Sequence, residues 1–122
     1  MASQANNFAY ITPQKIGDIV DATNDYISSQ KQSDNPLTGV LENAIDEGLS
    51  QIRYYANKGY PQCADPDQVH NFCGYLSQIN DCIFLESILV KLNTTFDRLF
   101  SINFSLRKGE DGRHEVEFIK SF

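Results

Sequence analysis

The C-terminal part of the chain has apolar residues that alternate with polar ones on either side of a short polar segment. That segment, Glu110-Asp111-Gly112, is typical of a three-residue hairpin loop, in which a type I turn ends with a left-handed glycine. Alternation with a period of two is the pattern of a strand with one buried face. The sequence therefore predicts an antiparallel β-hairpin with strands over about 99–108 and 113–122.

The loop also predicts which residues of the hairpin oppose each other. One face would be apolar and the other polar, and a shift by one residue would oppose Leu106 to a glutamate, so the alternation favours a single register. Because an isolated hairpin is marginal in water, we expect its apolar face to pack on helices and its edges to be open for a further strand or a partner. The predicted opposed pairs are Leu106–Val116, Phe104–Phe118, Phe100–Phe122 and Arg107–Glu115.

The residues before the hairpin have apolar positions spaced three and four apart, which is the pattern of amphipathic helices. Three prolines directly follow a residue that can cap a helix, at Thr12-Pro13, Asn35-Pro36 and Asp65-Pro66. Gly59 is expected to end the second helix in a left-handed conformation. The sequence predicts three main helices, over about 13–30, 36–58 and 66–92.

The third predicted helix is apolar nearly all round between Ile83 and Val90, which indicates a central, buried helix. A break near Asn80-Asp81 is the alternative to a continuous or slightly kinked helix, which we favour. Asn93-Thr94-Thr95 is expected to unwind into the hairpin. The predicted fold is of the α+β class, with three main helices and a C-terminal hairpin packed on them in one domain over residues 1–122, of which 1–7 are expected to be flexible.

The composition is that of an ordinary globular domain, with 122 residues, 41% apolar and 21% charged. No segment approaches the roughly 18 apolar residues of a membrane span. Residues 1–7 lack the basic and apolar regions of an export signal. The odd number of cysteines favours reduced thiols. We therefore expect a soluble, cytoplasmic protein with no membrane partner.

The negative charge of the chain is concentrated in residues 16–52, which span most of the first two predicted helices and the linker between them. Residues 16–52 contain seven acids against one base, Lys31, which accounts for the net charge of −6. Such a face could dock the basic surface of another protein, and the alternative is a solvated face that keeps the protein soluble. Direct binding of nucleic acid is not expected, because it needs clustered Lys and Arg. The candidate partner-binding acids are Asp18, Asp21, Asp25, Glu42, Asp46 and Glu47.

Aromatic residues cluster at the end of the second predicted helix. Exposed tyrosines often anchor protein interfaces, which makes Tyr54 and Tyr60 candidate partner-binding residues. The alternative is that Tyr55 and Tyr60 cap the core while Tyr54 rests on the surface.

Catalytic and metal chemistry have weak signals. Cys63, His70 and Cys73 could bind a metal, but a fourth ligand is missing and there is no paired C-x-x-C. A nucleophilic Cys63 with His70 or His114 as base is a pairing that chance produces easily, and there is no glycine-rich phosphate loop. We predict no catalytic residue, no bound metal and no cofactor.

The preferred hypothesis is a small, acidic, non-enzymatic protein–protein interaction module. It would be of the inhibitor or immunity type and would cover a basic site on its partner through the acidic face of the first two helices. One alternative is an acidic secretion chaperone or adaptor that binds through the hairpin edge as a homodimer. The other is a small metal-binding regulator built on Cys63, His70 and Cys73.

Overall fold

The computed structural model of the chain describes residues 16–31, 34–60 and 62–121. Within them the fold is α+β, as predicted, but it has four helices where three were expected. The predicted flexibility of residues 1–7 and the predicted helix start at Thr12-Pro13 lie outside the described residues. The elements are α1 (16–28), α2 (Thr38–Asn57), α3 (Pro66–Leu76), α4 (Cys82–Phe100), β1 (Ile102–Lys108) and β2 (His114–Lys120).

The expected continuous helix over 66–92 is wrong, because the chain leaves the helix after Leu76 and re-enters it at Cys82. Asp81 is the N-cap of α4, and its Oδ1 accepts a hydrogen bond from Phe84 N at 3.1 Å. Ser77 Oγ donates to Cys73 O at 2.7 Å at the end of α3. The Asp81 carboxylate satisfies an amide that the start of a helix leaves unpaired. At the end of α3, the backbone amides of residues 78 and 79 donate to the carbonyls of residues 75 and 76, so the break is stable.

The expected unwinding at Asn93-Thr94-Thr95 is also wrong, since α4 continues through these residues to Phe100. Ser101 ends the helix in the left-handed conformation, with φ of 55°. Phe100 is therefore a buried helical residue rather than the start of β1, and its predicted partner Phe122 lies outside the described residues.

The hairpin has the predicted register, with Leu106 opposite Val116 and Phe104 opposite Phe118. Both strands are shorter than predicted. The predicted Arg107–Glu115 pair is also confirmed, with Arg107 Nη2 lying 3.0 Å from Glu115 Oε2.

The turn of the hairpin closes with a bond from Gly112 N to Gly109 O at 3.1 Å, and Gly112 has φ of +82°. A side chain at this φ is strained, so we expect Gly112→Ala to lower the free energy of unfolding by about 1–2 kcal/mol. Gly74→Ala is the matched control. Gly74 lies within α3, and a Cβ added there would meet no neighbouring atom within 4 Å, so its replacement should raise stability by about 0.5–1 kcal/mol. Urea unfolding of both variants measures the free energy of unfolding, which should fall in Gly112→Ala and rise in Gly74→Ala.

The apolar face of the hairpin packs on the helices as expected, with β1 against α4 and β2 against α3. Phe96 of α4 lies at the centre of this contact, and its ring centroid is 5.2 Å from those of both Phe100 and Phe104. The ring of Phe72 in α3 also contacts Phe104, with 6.2 Å between the centroids. The core therefore joins the hairpin to two helices through aromatic side chains.

Helices α1 and α2 both contact α4. Tyr26 of α1 stacks on Phe84 of α4 at 5.2 Å, and Gln30 Oε1 accepts a hydrogen bond from Asn80 N at 2.6 Å. Asp46 of α2 contacts Lys91 of α4. In the described part of the chain, none of the helices combines the length and apolar character needed to cross a membrane.

The two predicted helix starts that lie within the described residues are close to the observed ones. Asp65 caps α3 as predicted, accepting from Asp67 N at 2.9 Å. Asn35 accepts from Leu37 N at 2.9 Å, but α2 begins only at Thr38, because residues 36–37 form a turn. Gly59 follows the end of α2 with φ of +88°, as predicted.

Candidate functional site

The acidic residues of α1 form an exposed row. Asp18, Asp21 and Asp25 are all exposed, and among the described residues none of the three carboxylates has a basic side chain within ion-pair distance. Asp21 also lines an open groove of about 260 Å³ together with Gln68 and Tyr75 of α3. This row, called here the acidic α1 surface, borders α3.

The acidic residues of α2 differ from one another in their surroundings. Asp46 forms an ion pair with Lys91, at 3.1 Å between Oδ1 and Nζ, so its charge is partly compensated within the chain. Glu42 is half-buried, whereas Glu47 is exposed. Asp46 therefore borders α4, and Glu47 is the one of the three that is exposed and forms no ion pair within the described part of the chain.

The tyrosines at the end of α2 form a packed cluster. The ring centroid of Tyr55 lies 5.5 Å from those of both Tyr54 and Tyr60, in edge-to-face geometry. Tyr54 is 53% exposed and Tyr60 is 46% exposed. Lys58 Nζ lies 5.1 Å from the centre of the Tyr54 ring. The contacts with Tyr55 hold two half-exposed rings in place, so little side-chain entropy remains to be lost when a partner covers them.

Val40 has the helical spacing of the apolar positions of α2, but it is 53% exposed. It lies two helical turns before Glu47, which lies two turns before Tyr54, so the three share one side of the helix. The spacing from Glu47 is visible in the sequence and is the signal that places Val40 on the polar side. Val40, Glu47 and Tyr54, together with Tyr60 in the following loop, are called here the α2 outer face.

The prediction that the start of α4 is buried on all sides is also wrong, since Ile83 is 82% and Val90 is 65% exposed. These two residues lie two turns apart on the side of α4 that faces away from the hairpin core, where Phe96 and Leu92 are buried.

The edges of the hairpin are partly occupied by side chains of the helices. Asn93 of α4 accepts from Phe104 N at 2.7 Å and donates to Phe104 O at 2.9 Å, as a neighbouring strand would. On the other strand, Val116 N donates to Ser77 Oγ at 2.8 Å. A docking strand would have to displace Asn93 at the β1 edge or Ser77 at the β2 edge, which argues against the hairpin edges as binding sites.

The three candidate metal ligands have different surroundings. Cys73 is buried in the core, whereas Cys63 and His70 are exposed. Among the described residues, no three His, Cys, Asp or Glu side chains come together as a group that could hold a metal ion.

Burial raises the pKa of the Cys73 thiol to about 12, and the charge of Glu117 contributes to a smaller extent. The unfolded chain would lose this proton near the ordinary pKa of about 9, whereas the folded chain retains it. The contribution of Cys73 to stability is therefore fully present below about pH 9 and is lost as the pH rises towards 12. We expect the free energy of unfolding to fall across this window by roughly 1 kcal/mol per pH unit on account of this group.

The measurement is urea unfolding at a series of pH values for the native chain, Cys73→Ala and Cys63→Ala. The fall in the free energy of unfolding with pH should be reduced in Cys73→Ala, which differs from the native chain only at Cys73. It should be retained in Cys63→Ala, which keeps Cys73 and lacks an exposed thiol instead. Equal slopes in all three would contradict the prediction.

The structure brings together one pair of reactive groups that the sequence does not suggest. Cys82 Sγ lies 3.2 Å from His114 Nδ1, and His114 Nε2 lies 2.8 Å from Ile79 O. From the sequence, His114 is a candidate base only for Cys63. No spacing in the sequence signals the contact with Cys82, because it depends on how the hairpin packs against the start of α4.

Comparison with protein-family models, with curated proteins and with solved structures finds no match to this chain.

Proposed function

We propose that the chain is a small, cytoplasmic, non-enzymatic protein-binding module of the inhibitor or immunity type, which covers a basic site on another protein. The observation that carries this proposal is the acidic α1 surface, where Asp18, Asp21 and Asp25 are exposed and have no compensating cation among the described residues. Like charges one turn apart oppose helix formation by roughly 0.2–0.5 kcal/mol per pair. A basic partner would relieve this repulsion on binding.

The α2 outer face supplies the second part of the proposed contact. Tyrosine is enriched among the residues that dominate binding energy at protein interfaces, and exposed valine adds apolar area. Tyr54 and Tyr60 are exposed but fixed by Tyr55. A partner that presents Lys or Arg beside an apolar patch would suit this face. The cation could pair with Glu47 or bind over the face of a tyrosine ring, and the apolar patch would cover the rings of Tyr54 and Tyr60.

The chaperone hypothesis has less support. It needs an open hairpin edge, and the middle of each strand already has a side-chain partner in Asn93 or Ser77. The metal-regulator hypothesis needs Cys73 at the surface with Cys63 and His70, whereas Cys73 is buried.

The test is affinity capture from a lysate of the source organism with the native chain and a variant carrying Lys at positions 18, 21 and 25. The control variant carries Lys at the exposed Glu86, Asp97 and Glu110, so it has the same net charge with the α1 row intact. We expect the native and control chains to recover the same basic protein, with an affinity that falls as salt is raised.

The α1 variant should bind that protein about tenfold or more weakly, because close charge pairs at an interface commonly contribute more than about 1 kcal/mol each. Equal recovery by the α1 variant would overturn the proposal and leave the acidic row as a solubilising surface. Equal loss in both variants would also overturn it, since binding would then follow net charge rather than this surface.

A further inference from the structure

A cysteine and a histidine from distant parts of the chain meet where the hairpin contacts the start of α4. Cys82 is the first residue of α4 and is exposed, and His114 is the first residue of β2 and is half-buried. The 3.2 Å between Sγ and Nδ1 is within hydrogen-bond distance for sulfur. This site is separate from the acidic α1 surface and does not depend on the proposed function.

The orientation of the imidazole is fixed by the backbone. Ile79 O can only accept a hydrogen bond, so His114 Nε2, which lies 2.8 Å from it, must carry the proton. In the neutral ring this leaves Nδ1 as an acceptor, and Nδ1 is the atom that faces Cys82. In this tautomer the thiol donates to Nδ1, and the bond to Ile79 O holds the ring in place, which is the arrangement of a cysteine with an oriented base.

We propose that Cys82 is a modification site, a reactive thiol that exchanges with low-molecular-weight disulfides to form a mixed disulfide, with His114 as the acceptor of its proton. The proton passes from Sγ to Nδ1 as sulfur attacks one sulfur of the disulfide. The new S–S bond forms while the old one breaks, and the departing thiolate takes the proton from His114. One thiol and one disulfide enter and one of each leaves, so no further oxidant is needed.

The other two cysteines differ from Cys82 in their surroundings. Cys73 is buried, and its pKa of about 12 keeps it protonated at neutral pH. Cys63 is exposed like Cys82, but the two ring nitrogens of His114 already face Cys82 and Ile79 O. Exposure alone therefore does not select Cys82 over Cys63, whereas the contact with His114 does.

The experiment measures mixed-disulfide formation at each cysteine with glutathione disulfide, by peptide mass spectrometry of the full chain. The rate at each cysteine of the folded chain is divided by the rate at the same cysteine of the chain unfolded in guanidinium chloride. This ratio removes differences in reactivity that are due to local sequence. We expect Cys82 to react about tenfold or more faster than Cys63 on this scale, and Cys73 to stay unmodified.

The variant is His114→Gln, in which the amide can still donate to Ile79 O but offers no basic nitrogen to Cys82. It should lower the rate at Cys82 to about that of Cys63. His70→Gln removes the other histidine, which is exposed on α3, and should leave the rate unchanged. Continued protection of Cys73 shows that the variant is folded.

A rate at Cys82 no faster than that at Cys63 would overturn the proposal. So would a fast rate that persists in His114→Gln with Cys73 still protected, because the imidazole would then have no part in it. If Cys73 becomes modified in His114→Gln, the comparison is made instead between Cys82 and Cys63 of the native chain, where the tenfold difference must still be found.

Discussion

Replacing Phe96 by Ala is expected to lower the free energy of unfolding by about 3–5 kcal/mol, the largest effect predicted for a single substitution in this chain. Phe96 is fully buried, and its ring contacts Phe100 within α4 and Phe104 of β1. Truncation would remove the apolar burial and leave a cavity where the hairpin meets the helices. Since small domains are typically stable by only about 5–15 kcal/mol, this loss would remove a large part of the stability of the fold.

Val90→Ala is the control for this prediction. Val90 lies on the same helix but is 65% exposed, so its replacement should change the free energy of unfolding by no more than about 0.5 kcal/mol. Urea unfolding followed by circular dichroism measures both variants. A loss below about 1 kcal/mol for Phe96→Ala would contradict the packing of the hairpin on α4.

Replacing Asn93 by Ala is expected to lower the free energy of unfolding by about 2–3 kcal/mol, the second largest effect predicted for a single substitution. The amide of Asn93 pairs with both Phe104 N and Phe104 O, at 2.7 and 2.9 Å. Without it, the backbone N–H and C=O of the buried Phe104 lose their partners, and an unsatisfied buried group costs more than a hydrogen bond contributes.

Asn103→Ala is the matched control, because Asn103 is the exposed neighbour of Phe104 on the same strand. It should change stability by less than about 0.5 kcal/mol. Hydrogen exchange of the Phe104 amide gives a second measurement, and it should become faster in Asn93→Ala only. Equal exchange in both variants would show that Asn93 does not hold the edge of β1.

Patterns that follow from local geometry are sufficient to predict the hairpin. Its register depends on a period of two and on the turn at Gly112, and both are properties of neighbouring residues. The capped start of α3 at Asp65 is also local. The left-handed Gly59 after α2 is a third local feature on which the sequence and the structure agree.

The errors in the helices arise from contacts between distant residues. Asn93-Thr94-Thr95 resembles a helix-breaking polar run, but Asn93 binds β1 and Thr95 Oγ1 accepts from Arg53 Nη1 at 2.7 Å. Tertiary hydrogen bonds thus satisfy side chains that would otherwise compete with the helix. The break before α4 has a local cause instead. Asn80-Asp81 indicates a possible helix break in the sequence, and the Asp81 carboxylate caps the new helix that begins there.

The candidate site could be predicted in its residue types but not in its geometry. Exposure of Asp18, Asp21 and Asp25 follows from their spacing on one side of an amphipathic helix. The ion pair of Asp46 with Lys91 could not be predicted, because it depends on how α2 packs on α4. The contact between Cys82 and His114 depends in the same way on the docking of the hairpin.

Carboxyl footprinting of the complex with the recovered basic protein tests the protein-binding claim most directly. A water-soluble carbodiimide with an amine labels exposed carboxylates, and mass spectrometry compares the free and bound chain at each site. We predict that labelling of Asp18, Asp21, Asp25 and Glu47 falls on binding while that of Glu86 and Asp97 is unchanged. Unchanged labelling of the α1 acids, with protection confined to Glu115 and Glu117 of the hairpin, would contradict the claim.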